Sequence, residues 1–488
     1  MKHIDCSRIN YDLLRVTIHR KALLASCSEK YRLINFFLLF EEHENLNWLF
    51  VLIALMIVPI AFFNLKLVAD NYLSKSIMRV KSEFRISALT AAASIIPLAN
   101  GAPDLLISFV STSQADGADI AVSSILGAFI FAWTIVTSYI IFRSPREVIP
   151  LPVKPFLKEV CFSYIGLLLI TILGIFHSKN RFFAALPFSF FIIYLSTSLY
   201  LAQTDPSSNS YAIMEEEDTP IIPPNEHFPL KRKLQLHIFN ENSLFLNIIF
   251  SPFKLIYLLT VPYHENPLMK TNMKYFIIFA AFSCFLVFFE LMNSLVFTVF
   301  IALILSTTFL LLISFANPRN LILLLGILTL IASIGWMKVL SSILLDAITF
   351  VAFTIGKGER LIMMLVLSVG NSVSDLFSNG AISASGGDVM AFFGAFASQL
   401  FNMFLGISLN IFFGAEKTGF DIFGFQKKSS SLDSQLIKIQ LSFGAIVLSV
   451  VTIYYMSRKK FQKNYVPLGT SLYFLFLLVC VLYTILAS

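Results

Sequence analysis

Residues 100–105 read Asn-Gly-Ala-Pro-Asp-Leu, and residues 371–376 read Asn-Ser-Val-Ser-Asp-Leu. Each segment places an amide and, four positions later, a carboxylate inside a long apolar stretch. A charged group at membrane depth is unfavourable and therefore usually functional. Two such segments in matching frames, one in each half of a membrane protein, predict an ion-binding site built from a duplicated unit.

The composition around these segments is that of a membrane protein. Of the 488 residues, 57% are hydrophobic and 13% are charged, and the mean hydropathy is +0.78. Many apolar runs reach the roughly 20 residues that a transmembrane helix needs, which excludes a soluble globular protein. The net charge of +7 comes largely from basic residues in short loops. These residues orient helices and meet anionic lipid, so the charge does not indicate nucleic-acid binding.

The apolar runs predict an all-α, multi-spanning membrane protein with about twelve transmembrane helices. The predicted parts are a tail at 1–45, a first five-helix repeat at 46–202, a polar loop with an interfacial segment at 203–273, two linking helices at 274–315, and a second five-helix repeat at 320–488. The repeat helices are predicted near 46–69, 84–112, 119–142, 157–177, 181–202, 320–355, 359–384, 388–413, 436–457 and 465–487. The first repeat has an odd number of helices and the spacer has an even number. The second repeat therefore enters the membrane from the opposite side, and the topology is inverted.

Basic residues of the predicted loops concentrate on one side of this arrangement. They are Lys66, Lys75, Arg79, Lys81, Arg143, Arg146, Lys154, Lys158, the 231–233 cluster and Arg458–Lys460. Positively charged loops of membrane proteins tend to stay on the cytoplasmic side. The side that carries these basic residues is therefore expected to face the cytoplasm, or the matrix of a mitochondrion.

The chemistry of the first segment favours a cation. Asn100 and Asp104 are four positions apart and so share one face of a helix. Pro97 and Pro103 each remove a backbone donor, with Gly101 between them, so the helix is expected to kink and to free carbonyl oxygens. Carbonyl, amide and carboxylate oxygens together suit a hard cation such as Ca²⁺, which takes six to eight oxygen ligands.

The second segment repeats this arrangement without proline. Asn371 and Asp375 are again four positions apart, and the following helix adds Ser398 and Asn402 at the same spacing. The equivalent positions of the first half are Ala128 and Ala132. The predicted site is therefore asymmetric, with more oxygens from the second half.

Two facing carboxylates carry a charge of −2, which one Ca²⁺ or two Na⁺ would neutralise. Competition between cations for one such cage is the physical basis of exchange. Glu290 and Asp346 are also predicted inside spans, but each lacks a comparable polar neighbourhood. We interpret these two acids as structural.

The segments Ala69–Tyr72, Asn100–Leu105 and Gly370–Asp375 resemble the two alpha repeats of the calcium/cation antiporter superfamily. Met390–Gly406 resembles the next helix of its cation/calcium exchanger branch, which includes the mitochondrial sodium/calcium/lithium exchanger. The resemblance implies a secondary antiporter that exchanges Ca²⁺ for Na⁺ by alternating access and needs no cofactor. It implies Asp104 and Asp375 as central carboxylates. The further ligands that it implies are Asn100, Asn371, Ser372, Ser398 and Asn402.

The chain departs from the family pattern at several positions. Ala99, Ser374 and the pair Ala397-Ser398 replace glycines of the family, and Val369 replaces an aromatic residue. These departures leave open whether Na⁺, Li⁺, K⁺ or H⁺ is the counter-ion, and whether the chain is a transport-degenerate regulatory paralogue. An intramembrane aspartyl protease also uses two aspartates, but the glycine-flanked aspartate and the Pro-Ala-Leu segment of such proteases are absent around Asp104 and Asp375.

The amino-terminal tail bears on the choice of membrane. Asp5, Asp12 and Glu29 interrupt its basic residues, whereas a mitochondrial presequence is Arg-rich and poor in acids. The sequence therefore favours the cell membrane, with the mitochondrial inner membrane as the alternative.

Overall fold

The fold is all-α with many apolar helices, as the sequence predicts. A computed structural model describes residues 47–84, 87–97, 101, 117–176, 181–204, 244–262, 326–337, 339–341, 343–344, 347, 359–414 and 432–487. Within these ranges, seven helical stretches are long and apolar enough to cross a membrane. The tail, the linking helices at 274–315, Glu290 and Asp346 lie outside the described residues.

The described helices are numbered here in chain order. They are α1 (Asn47–Val68), α2 (Ser74–Glu83), α3 (Ala88–Pro97), α4 (Gly117–Phe131), α5 (Thr137–Arg143), α6 (Val153–Phe176), α7 (Ala185–Thr204), α8 (Leu244–Thr260), α9 (Gly326–Ser341), α10 (Glu359–Ala384), α11 (Asp388–Phe401), α12 (Ile407–Gly414), α13 (Leu432–Arg458) and α14 (Tyr465–Ala487). Two short strands are also described, β1 (Val148–Pro150) and β2 (Lys460–Gln462).

The first span is longer than the predicted 46–69. A π-helical segment, Ala69–Leu73, joins α1 to α2, so helical structure continues to Glu83. Hydropathy does not reveal this extension because α2 is polar on one side. Its buried side chains include Ile77 and Val80, whereas Lys75 is exposed. The predicted end of this helix was therefore wrong by about four turns.

The third span of each half contains a π-helical turn at the same place. Ala132–Val136 lies between α4 and α5, and Asn402–Gly406 lies between α11 and α12. Such turns are uncommon and occur often at functional sites. Their equivalent placement supports an internal duplication.

Contacts between connections give the relative orientation of the two halves. β1 follows the third span of the first half, and β2 follows the fourth span of the second half. The strands pair antiparallel, with Ile149 opposite Phe461, so both connections lie on one side of the membrane. Connections after an odd span and after an even span share a side only when the halves have opposite orientations. The halves are therefore inverted with respect to each other.

Other contacts agree with this orientation. On the side of the strands, Ser383 Oγ near the end of α10 donates to the carbonyl oxygen of Ile140 at 2.9 Å. Arg143 Nη2, at the end of α5, lies 2.7 Å from Asp70 Oδ1. On the opposite side, Ser408 Oγ in α12 donates to the carbonyl oxygen of Ala184, just before α7, at 2.8 Å.

In the segment predicted to be interfacial, the described residues form a helix, α8, that is shorter than the described spans. It lies against the first span of both halves. Tyr257 Oη of α8 donates to Asn64 Oδ1 of α1 at 3.0 Å. Trp336 Nε1 of α9 donates to Thr260 Oγ1 of α8 at 2.8 Å. Helix α8 is therefore hydrogen-bonded to both α1 and α9.

A buried aromatic cluster joins the two halves beside α11. Trp133 stacks on Phe396, with ring centroids 3.9 Å apart and planes 7° apart. Phe392 packs edge-on against Phe396, and Phe461 of β2 lies 5.0 Å from Phe392 between ring centroids. Helix α11 thus contacts the first half through its aromatic residues.

The inverted arrangement predicts which positions share a side of the membrane. In a variant without the five native cysteines, Val148→Cys and Lys463→Cys should react with a membrane-impermeant thiol reagent from the same side. Phe182→Cys should react only from the other side, because Phe182 is exposed and lies close to Ala184 in the chain. Labelling of sealed vesicles of known orientation measures this. Reaction of Val148→Cys and Lys463→Cys from opposite sides would contradict the inverted orientation.

Candidate cation site

Helix α10 carries a buried polar stripe. Ser372, Asp375, Asn379 and Ser383 follow one another at intervals of three or four residues, so they lie along one face of the helix. All four are buried. A continuous polar row inside an apolar bundle is unfavourable unless its groups find partners.

The carboxylate of Asp375 is held from α11. Gln399 Nε2 donates to Asp375 Oδ2 at 2.8 Å, and both side chains are buried. The orientation of the amide follows from chemistry, because a carboxylate oxygen accepts from nitrogen and repels oxygen. This hydrogen bond joins the helix of the second motif to the helix that follows it.

Side-chain oxygens with unused acceptor capacity accompany this carboxylate. Asn379 Nδ2 donates to the main-chain oxygen of Asp375 at 2.8 Å. Ser372 Oγ, Asn379 Oδ1 and Gln399 Oε1 are buried and have no hydrogen-bond partner within the described part of the chain. Buried polar atoms normally find partners, and the exceptions require an explanation such as an ion. Neutral oxygens together with a carboxylate fit a hard cation.

Helix α11 and the π-helical turn after it carry the remaining predicted ligands of the second half. Ser398 and Asn402 are buried about one turn apart, and Asn402 begins the π-helical turn. Ser398 Oγ donates to the carbonyl oxygen of Gly394 at 2.8 Å. The hydroxyl proton is thus used within the helix, and the oxygen lone pairs are available to a cation.

The first motif approaches the same part of α11. A Cβ atom on Gly101 would lie 2.8 Å from Cδ1 of Phe401 and 3.0 Å from Oδ1 of Asn402. A Cβ atom on Gly394 would lie 2.7 Å from Cγ2 of Ile96. Ile96 lies against Gly394, and Gly101, which is later in the chain, lies against Phe401, which is also later. Because the order of the contacts is the same in both segments, the two segments run parallel. The first motif therefore reaches the depth of Asn402.

The described structure thus brings part of the predicted site together. Ser372 and Asp375 lie on α10, Ser398 and Asn402 lie on the adjoining α11 and its π-helical turn, and Gly101 of the first motif contacts Asn402. The predicted ligands Asn100 and Asp104 and the side chain of Asn371 lie outside the described residues, so their place in the site stays a prediction. The equivalent first-half positions, Ala128 and Ala132, are buried and carry no side-chain oxygen.

Sequence reasoning missed two polar residues of this region, Asn379 and Gln399. Asn379 is four residues after Asp375 and so lies on the same helix face, which the spacing alone indicates. Gln399 follows the predicted ligand Ser398 directly, but its contact with Asp375 depends on how α11 packs against α10. That contact has no signal in the sequence.

A further buried acid, Glu159 in α6, has a different environment. Lys158 Nζ lies 2.7 Å from Glu159 Oε1, and Tyr194 Oη donates to Glu159 Oε2 at 3.0 Å. Lys158 Nζ also donates to Ser198 Oγ at 2.6 Å. The prediction of Lys158 as a loop charge was wrong, because this residue lies inside a helix and pairs with its neighbour. The pair is neutral and has its partners.

Comparison with known proteins identifies the family of the chain. The model of the sodium/calcium exchanger protein family matches residues 47–200 and 325–487, which is more than half of the chain. The chain belongs to the sodium/calcium exchanger family. This membership confirms the resemblance to the calcium/cation antiporter superfamily. The family is one of transporters rather than enzymes.

Individual relatives of this exchanger are distant. It is 21% identical to putative sodium/calcium exchanger 6 of Caenorhabditis elegans, over 85% of this chain and 78% of the relative. It is 28% identical to putative sodium/calcium exchanger 7 of the same organism, over 30% of this chain and only 21% of the relative. A solved structure of the sodium-calcium exchanger NCX_Mj aligns with 87% of this chain and 97% of its own, at 10% identity and a TM-score of 0.48.

The close approach at Gly101 predicts the effect of a small substitution. Gly101→Ala should lower stability by about 1–3 kcal/mol, because the added methyl group meets the ring of Phe401. Gly444→Ala is the control, since a Cβ atom there has its nearest neighbours at 3.6 Å. Equal unfolding temperatures for both variants would contradict the predicted contact.

Proposed function

We propose that this exchanger is a secondary active antiporter that moves Ca²⁺ across a membrane in exchange for Na⁺. The observation that carries the proposal is the buried carboxylate of Asp375 together with the partnerless oxygens of Ser372, Asn379 and Gln399 in the described part of the chain. The family supplies the transport activity, and these oxygens supply a chemistry that suits hard cations.

The cation would lie between Asp375 and Asp104, with oxygens from both motifs. Asn100, Asn371, Ser372, Ser398 and Asn402 are the proposed neutral ligands. The contact of Gly101 with Asn402 supports this arrangement, because Gly101 lies in the same short segment as Asn100 and Asp104.

Exchange follows from the charge of such a cage. Two carboxylates in a low-dielectric interior are unfavourable when no cation lies between them. The protein therefore switches readily between the conformations that open the site to either side of the membrane when one Ca²⁺ or two Na⁺ fill the cage. It does not switch when the cage is empty. Movement of one cation is thereby coupled to return of the other.

Charge removal at either aspartate tests the site. Asp104→Asn and Asp375→Asn should each reduce Na⁺-dependent Ca²⁺ flux in proteoliposomes to the level of protein-free vesicles, because the cage loses half of its charge. Glu147→Gln is the control, as this exposed residue beside β1 lies outside the proposed site. Normal flux in either aspartate variant, with the protein folded, would exclude this site.

Ion substitution in the same vesicles tests the counter-ion. Ca²⁺ uptake should require a Na⁺ gradient and should fall when Li⁺, K⁺ or a pH gradient replaces it. Equal uptake with another cation would assign that cation as the counter-ion. Tight cation binding without any flux would instead assign a regulatory role to the chain.

We propose the cell membrane as the location, with the mitochondrial inner membrane as the alternative. A fluorescent fusion of the full chain should lie at the cell surface. Its coincidence with a marker of the mitochondrial inner membrane would assign the alternative location.

A further inference from the structure

Gln399 has a position that the proposed ligand set does not include. It lies on α11 directly after Ser398, and its side chain is buried. Its Nε2 donates to Asp375 Oδ2 at 2.8 Å. Its Oε1 has no hydrogen-bond partner among the residues that the structure describes. One end of this amide is thus committed to the carboxylate, and the other end is a buried acceptor.

The two groups complement each other chemically. A carboxamide and a carboxylate are both planar, and each carries two polar atoms. When N–H and Oδ2 form a hydrogen bond, the second polar atom of each group is an oxygen, Gln399 Oε1 or Asp375 Oδ1. A cation that binds both oxygens completes a ring whose other side is the hydrogen bond.

We propose that Gln399 is a positioning and selectivity residue of the cation site. The proposal rests on the proposed function and adds one residue to its site. The N–H group of Gln399 fixes Asp375 so that one carboxylate oxygen faces the cation, and its Oε1 supplies a neutral oxygen. Without it, the carboxylate turns freely and binds cations through two oxygens, which suits a larger ion with more ligands.

The test replaces the amide and measures binding as well as transport. Gln399→Met retains the length of the side chain and removes both polar ends. We expect Ca²⁺ affinity, measured by equilibrium binding to purified protein, to fall about 10- to 100-fold, which is the range for a lost hydrogen bond to a charged group. The KM for Ca²⁺ should rise while the maximal rate changes little, and the preference for Sr²⁺ over Ca²⁺ should increase.

Gln440→Met is the matched control. Gln440 is also a buried glutamine in a membrane helix, and its Oε1 accepts from Ser123 Oγ at 2.9 Å, between α13 and α4. This variant loses a buried, neutral hydrogen bond of a glutamine between two membrane helices, outside the proposed set of ligands. It should retain the affinity for Ca²⁺ and the Sr²⁺ preference of the unaltered protein.

The outcomes separate this inference from the proposed function. Unchanged Ca²⁺ affinity and Sr²⁺ preference in folded Gln399→Met would overturn it, as would equal losses in Gln399→Met and Gln440→Met. Where Gln399→Met does not fold, Gln399→Asn is used, because its amide is one methylene too short to reach Asp375. Absence of flux in the unaltered protein would contradict the proposed function alone, since the binding measurement still tests Gln399.

Discussion

The hydrogen bond between Gln399 and Asp375 joins the two helices on which the candidate site depends. A carboxylate inside an apolar bundle is stable as an anion only when donors or positive charge compensate for lost water. Gln399 supplies one donor but no charge. Lys158, in contrast, neutralises Glu159 directly. The described part of the protein thus contains buried acids in two kinds of environment. Glu159 and Asp388 each lie beside a basic side chain, whereas Asp375 is accompanied by neutral oxygens that suit a cation.

Inverted halves explain how the two motifs reach one place. The antiparallel pairing of β1 with β2 requires the two halves to be inverted, and the parallel contacts of the first motif along α11 require the same inversion. Glycine then allows close approach, because Gly101 and Gly394 lie where a side chain would meet the neighbouring helix. The depth of the first motif is therefore set by its close contact with α11.

Much of this arrangement could be predicted from the sequence. Apolar runs indicated the helices, and the bounds of α10 and α14 agree with their predictions. The spacing of Ser398 and Asn402 indicated a shared face, and both side chains are buried. The extension of the first span to Glu83 was missed because α2 is polar on one side. Gln399 was missed because its role depends on packing between α10 and α11, and such a contact leaves no periodic pattern in the chain.

The two halves share a backbone geometry but differ in their side-chain oxygens, and this difference affects how many ions the site holds. Both halves keep the π-helical turn in the third span, so the local backbone geometry is shared. The second half places Ser398 and Asn402 there, whereas the first half has Ala128 and Ala132, which offer no side-chain oxygen. Loss of oxygens on one side removes neutral ligands without changing the charge of the aspartates. In the proposed site, the charge of −2 then limits the cargo to one Ca²⁺ or two Na⁺, and the asymmetry puts the neutral ligands of that cargo mainly on α10 and α11.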